Sequence, residues 1–239
     1  MKKKLTIVPL YDWMADVPEI IPQPAKNYVP DWYKKTPIDN SNNLGFKHKL
    51  IPTSRTVRTC PSFMDVFKDG YVLPSPCDIW FKIGDNGDAW EWQTSTDVFR
   101  TENYKLIDEH HDGQFIEHLP NKEIKKVFKM HYPWFFIAPK GYSIRQMPMM
   151  YHYDKDWFVP YGIIKNDMYA EINPQICITS YNKEILIKKG SPLCYIIPYK
   201  RNNAINLEIG TMDRYKNDIE KKRYLPSSTF RSSYHTYED

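Results

Sequence analysis

Apolar positions along this chain come in short bursts, most of them closed by proline, glycine, asparagine or aspartate, and few recur with the spacing of a helix face. From residue 130 the bursts are YPWFFIAPKGYSIRQMPMMYH, YGIIKND, EINPQICITS, EILIKKGSPLCYIIPYKR and AINLEIG. Brief runs of β-formers between turn residues are the pattern of a sandwich or barrel, so the sequence predicts a mainly β protein. LTIVPL supplies a first strand. CDIWFKI and AWEWQT flank GDNGD, a hairpin signal because Asn and Gly accept positive φ. A calcium loop at those aspartates lacks the alternating carboxylates and distant Glu that it needs. Two helices are expected. In TCPSFMDVFKDG (59–70), Pro61 suits the first turn and Phe63, Val66 and Phe67 share a face; DRYKNDIEKKRYL (213–225) starts at Asp213 and stops before Pro226.

Between the first strand and the first helix lies VPEIIPQPAKNYVPDWYKKTP, too proline-rich for a helix or a central strand. It reads as an extended arm pinned by Trp13, Trp32 and Tyr33, onto this chain or a neighbouring copy. The expected organisation is a strand and arm over 1–58, a β-rich core over 59–210, and a helix with a polar tail over 211–239, in one compact domain.

Composition narrows the function classes. The chain has 239 residues, 15% aromatic, with 18 Tyr, 7 Trp and 19 Pro against 9 Gly, which favours extended segments over long helices. A net charge of +4 is too small to imply a nucleic-acid partner, and KNDIEKKRY (216–224), the one basic cluster, is mixed with acids as on a solvated helix face. MKKKLTIVPL imitates a signal peptide but is followed by no cleavage site, so secretion by that route is not expected. No apolar run approaches the roughly 20 residues needed to span a bilayer, and no membrane partner is expected. Cys60, Cys77, Cys177 and Cys194 occur singly, which suggests reduced, largely buried thiols.

Candidate chemistry is sparse. DEHHDGQFIEH (108–118) carries His110, His111, Asp112 and His118, and a His-x-Asp pair on a strand, with His152 as a distal ligand, is the donor set of iron and 2-oxoglutarate oxygenases. Asp-Gly directly after the pair reads instead as a turn. Lys165 is out of register for the cosubstrate carboxylate. No Gly-x-Ser-x-Gly elbow, phosphate loop or dinucleotide fingerprint occurs, so no cofactor is expected. Arg145, set among apolar residues, needs a partner or a ligand, an intrachain ion pair being the simpler expectation.

The order of PKGYSIRQMP, GIIKNDMYAEINPQICI and ILIKKGSPLCYIIP (139–198) resembles the trimeric dUTPase and dCTP deaminase superfamily. Gly141 and Tyr142, Gly162 and Ile164, and Gly190, Leu193 and Ile196 match its turns and strands. The resemblance implies a β-clip element at about 130–210 and a homotrimer. It does not extend to the chemistry: Lys165 stands where the family has its water-activating Asp, and a protonated amine is no general base. The Arg-Ser-Gly phosphate motif has no counterpart, and the tail offers only Phe230 as a stacking ring. PAKNYVPDWYKKTP, CPSFMDVFKDGYVLPSPCDI, PKGYS and KKGSPLCYIIPYKR also resemble an uncharacterised family of tailed marine phages and some bacteria, implying a phage protein in the virion or host cytoplasm.

The leading expectation is therefore a noncatalytic phage protein that works by binding or assembly, as a homo-oligomer or with other phage proteins. The alternative is a small-molecule or nucleotide binder using Arg145, His152, Lys165, Asn166 and Asp167. A third is an enzyme, either iron-dependent through His110, Asp112 and His152 or a divergent nucleotide hydrolase.

Overall fold

The computed structural model describes residues 3–38, 56–84, 89–101, 104–114, 123–153, 156–201 and 207–223. The chain divides into two compact units, Met1–Arg201 and Asn202–Asp239.

In the first unit the arm holds β1 (Thr6–Pro9), β2 (Gln23–Pro24) and α1 (Asp31–Lys35). Next come α2 (Pro61–Val66), β3 (Tyr71–Pro74), the hairpin of β4 (Ile79–Ile83) and β5 (Trp90–Thr94), and the short strands β6 (Arg100–Thr101), β7 (Tyr104–Lys105) and β8 (Ile107–Glu109). The remainder is β9 (Lys126–Met130), β10 (Trp134–Ile137), β11 (Tyr142–Pro148), β12 (Trp157–Phe158), β13 (Gly162–Ile164), β14 (Gln175–Ile178), β15 (Glu184–Ile187) and β16 (Pro192–Lys200). The described part of the second unit contains one helix, α3 (Met212–Arg223).

The protein is mainly β, as the short apolar bursts predict. Pairing is antiparallel throughout the described strands, in sheets ordered β13-β11-β16-β3-β2, β12-β14-β9-β8, β15-β4-β5, β1-β10 and β6-β7. None of these described sheets closes on itself, so the barrel alternative gives way to open sheets packed around a shared core. Period-two patterning explains why. In β4, Ile79, Phe81 and Ile83 are buried while Trp80 and Lys82 face outward, and in β15, Ile185 and Ile187 are buried between exposed Glu184 and Leu186. The inward rows meet a core that includes Leu73, Phe128, Phe136 and Ile176, where Phe128 lies 4.7 Å from the Phe81 ring centroid and 5.3 Å from that of Trp90. Edge-to-face and tilted rings at such distances contribute beyond their buried area.

The arm follows the core surface but is not uniformly extended. It takes 3₁₀ turns at Asp12–Asp16, Pro18–Ile20 and Ala25–Tyr28, and then forms α1 between Pro30 and Pro37. Prolines here punctuate a helix rather than forbid one: Pro30 is the extended N-cap, and Thr36, ahead of Pro37, ends it. β2 occupies a sheet edge, the place that proline tolerates. The surface that receives the arm belongs to this chain. Tyr33 is buried, with its ring centroid 4.9 Å from Phe67, whereas Trp32 and Trp13 are 39% and 44% exposed. A second cluster of Ala25, Val72, Met149 and Tyr195 fastens the arm to the outer face of the five-stranded sheet.

Of the four thiols, Cys77, Cys177 and Cys194 are buried and Cys60 is half-buried at the N-cap of α2. Burial pushes both the Cys77 and the Cys177 thiols up to about 12. Since the thiolate is the nucleophile, Cys60 is expected to be the one cysteine that a disulfide reagent labels rapidly at pH 8 in the folded chain, the others reacting after denaturation. Counting fast and slow thiols by absorbance checks this. A second fast thiol would contradict the burial.

Candidate functional site

The segment PYGIIKND forms a strand and a turn, and its bonds fix what each residue does. β13 pairs with β11 so that Ile163 lies opposite Arg145. The Gln146 side-chain amide donates to the Pro160 carbonyl at 3.1 Å, holding the entry to the strand. At the exit, the Lys165 carbonyl accepts from the backbone N–H groups of Met168 (2.9 Å) and Tyr169 (3.0 Å), one tight turn. The Lys165 side chain is exposed. Asn166 is buried, donating from Nδ2 to the Tyr169 carbonyl at 3.1 Å, while its Oδ1 meets no partner among the described residues.

Asp167 is committed to a clamp. Arg201 donates from two guanidinium nitrogens to the two carboxylate oxygens, each at 2.6 Å, and the Gly141 N–H donates to Oδ2 at 2.7 Å. Arg201 also donates to the Tyr142 carbonyl at 2.6 Å and the Ser143 hydroxyl at 3.0 Å, so the fork ties the 165–169 turn to the start of β11 and the end of β16. The Arg201 guanidinium, and after it the Gly141 N–H, hold the Asp167 carboxyl well below the usual carboxylate range. A carboxylate so stabilised is a poor proton acceptor.

Arg145 makes no ion pair among the described residues, where the sequence suggested one. It is exposed with its guanidinium 4.3 Å from the Tyr199 ring centroid, a cation–π contact that accounts for a cation on this sheet face. Of the metal candidates, His110, His111 and His152 are described, whereas the Asp112 side chain is not. His110 donates its backbone N–H to Val127 on β9, and His111 Nδ1 accepts from Gly113 N–H within the 3₁₀ turn Asp112–Gln114. His152 lies against the arm, its Nε2 3.2 Å from the Tyr28 carbonyl. His118, Asp85, Asn86, Gly87, Asp88 and Phe230 are outside the described residues. Among the described residues no three His, Cys, Asp or Glu side chains converge as a metal site would require.

The feature that sequence reasoning missed is a cleft of about 780 Å³ between the arm and the core. Its walls come from three distant stretches: Tyr28 to Trp32 of the arm, Tyr151 to Tyr153 with Asp156 and Trp157, and β15 with Ser191 and Pro192. Tyr151 organises them. Its backbone is left-handed, at φ 64°, a conformation that costs a bulky residue about 1–3 kcal/mol and persists only where the surroundings enforce it. Here they do. The Trp32 indole donates to the Tyr151 carbonyl at 2.8 Å, and the Tyr151 ring stacks on Phe63 of α2 at 4.3 Å between centroids. Tyr153, 78% exposed, stands edge-on to Tyr151 at 6.4 Å.

Carboxylates share the lining. Asp156 accepts from the Ser180 hydroxyl at 2.8 Å and pairs with Lys183, and Lys183 followed by Ser180 holds its carboxyl below the ordinary value. Asp31 pairs loosely with Lys34 at 3.6 Å. Glu184 has no ion pair among the described residues, since Lys82 opposite it on β4 approaches Glu91 at 3.5 Å. Ser191, His152 and Asp156 are the residue types of a hydrolytic triad, but among the described residues none of the three is hydrogen-bonded to another, and Asp156 and His152 bond elsewhere. Of the five residues expected to bind a ligand, His152 alone lines this cleft.

No family model and no curated protein matches the chain. Among solved structures it is similar to a native EIAV dUTPase, at 12% identity and a TM-score of 0.32, over 60% of this chain and 84% of that one. A likeness that slight carries no argument about chemistry. The residues must speak for the function.

Proposed function

We propose that this chain is a noncatalytic phage-encoded binding protein whose ligand sits in the cleft between the N-terminal arm and β15. The observation that carries the reading is Tyr151, held left-handed by Trp32 and Phe63 at the wall of that cleft. Strain of this kind is retained where a side chain must be aimed, and rigid rings around a concave site are what recognition uses. Absence of catalysis is supported by the turn at 165–169, where Lys165 is exposed and Asp167 is consumed by Arg201.

The test combines turnover and binding. Purified protein incubated with dUTP and dCTP is expected to leave both intact, while a thermal-shift panel of sugars, nucleotides and organic cations yields at least one hit that is lost in Trp32→Leu. Nucleotide hydrolysis above background, or a panel without any hit, would count against the reading. Proteomics of particles from an infected culture tests the phage setting.

A second reading, assembly, is favoured by one surface. Tyr161, Ile163, Met168 and Tyr169, on and beside the edge strand β13, are 57%, 55%, 79% and 50% exposed. Such a patch beside an unpaired edge suits contact with another copy, and the sequence resemblance suggests three. Light scattering at micromolar concentration is expected to show an oligomer that Ile163→Glu dissociates; a strict monomer removes the assembly version.

A further inference from the structure

We infer that the ligand of the arm–core cleft is an organic cation, an ammonium or guanidinium head on an apolar body. The inference rests on the binding reading above and adds the charge and class of the ligand.

Three observations combine. Five of the cleft's lining residues are tyrosine or tryptophan, Tyr28, Trp32, Tyr151, Tyr153 and Trp157, whose ring faces attract positive charge, while Ile185, Leu186 and Ile187 offer apolar surface for the rest of a ligand. Among the described residues no lysine or arginine lines the cleft, while Asp31, Asp156 and Glu184 do. The charges of Asp31 and Asp156 are answered by Lys34 and Lys183 from outside it, which leaves Glu184 as the carboxylate without an ion pair among the described residues. A cation entering here exchanges water for ring faces and one carboxylate. An anion would meet that same carboxylate with no lysine or arginine among the described lining residues to answer it. Lysines instead gather around a separate cleft of about 550 Å³ beside Tyr71 and Tyr142, lined by Lys3, Lys4, Lys26 and Lys68 with Asp69. The opposite sign of the two clefts argues that the acidic character of the first is specific to it rather than a property of the whole surface.

A neutral sugar is the main competitor, because rings and carboxylates also hold sugars. The discriminating experiment compares choline with 3,3-dimethylbutan-1-ol, which has the same shape without the charge, by titration calorimetry on the full chain at low salt. Choline is expected to bind at least about tenfold more tightly than the alcohol. Glu184→Gln is expected to reduce that preference to about twofold or less, leaving the melting temperature unchanged because the side chain is exposed. Trp32→Leu is expected to weaken choline at least fivefold. Equal affinity for choline and the alcohol, or choline binding indifferent to Glu184→Gln, overturns the inference. Maltose or AMP binding that is lost in Trp32→Leu, with choline silent, overturns the cation class while the cleft reading stands. Silence from every probe overturns both.

Discussion

Gly70→Ala is expected to destabilise the Met1–Arg201 unit by about 3 kcal/mol, and so to lower its melting temperature by roughly 10 °C. Gly70 stands where the chain enters β3 at φ 71°, and a Cβ there would lie 2.5 Å from the Ile196 carbonyl oxygen and 2.8 Å from Ile197 Cγ1. The first of these contacts is with backbone inside β16, which cannot yield without disturbing the five-stranded sheet. Two penalties therefore add, left-handed strain and overpacking. Gly141→Ala separates them. Gly141 has φ 83° but open space where its Cβ would be, so only the conformational part applies, about 1–2 kcal/mol. Urea melts of the two variants measure the difference; equal losses would mean that the approach to Ile196 relaxes freely. The effect also reaches the cleft. The Gly70 carbonyl accepts from Ala25 N–H at 3.1 Å, so a shift in β3 loosens the arm that carries Tyr28 and Trp32, and the Trp32-dependent ligand response should weaken with it.

What could be read from the sequence was whatever depends on neighbours in the chain. Alternation in IWFKI and EILI announces β4 and β15 because a strand turns its side chains with period two. Pro61 at the first turn announces α2, and α3 covers most of the span expected for it. The arm was legible as an arm, but α1 was not, because a five-residue helix bracketed by prolines has no periodicity to detect. The cleft was invisible for another reason. Its walls come from the regions near residues 30, 152 and 186, brought together by docking of the arm on α2 and the sheet. One local hint existed: YHYDKDW (151–157) is dense in rings and acids without alternating as a strand does. Arg145 illustrates the converse. An arginine between apolar residues suggested an intrachain ion pair or a ligand, and outward alternation on β11 places it over Tyr199 in reach of water. The resemblance around Gly162 and Ile164 drew attention to the correct turn, but only the bonds show that its acid secures the fold.

Asp167→Asn is therefore expected to cost stability at neutral pH, and to cost progressively less as the solution is made acid. The carboxyl is held below its ordinary value in the folded chain, whereas in the unfolded chain it titrates near 3.9. A depressed folded pKa contributes stability that is fully present above the unfolded value and is lost as pH falls through the folded one. The gap between wild type and Asp167→Asn should thus be constant from about pH 5 to 8, begin to close below about pH 4, and be smallest in strong acid. Urea midpoints measured across that range check the shape; a gap independent of pH would mean that the Asp167 charge is no part of the clamp. Geometry adds a second signature. The Asp167 side chain is 6% exposed, so its removal leaves the Arg201 fork without its carboxylate, and Arg201→Ala leaves an uncompensated acid in the turn. The double variant Asp167→Ala with Arg201→Ala is expected to lose less than the sum of the singles, because neither charge is then stranded. If the losses simply add, the two residues act independently, and the 165–169 turn is secured by its backbone bonds and by Asn166 instead.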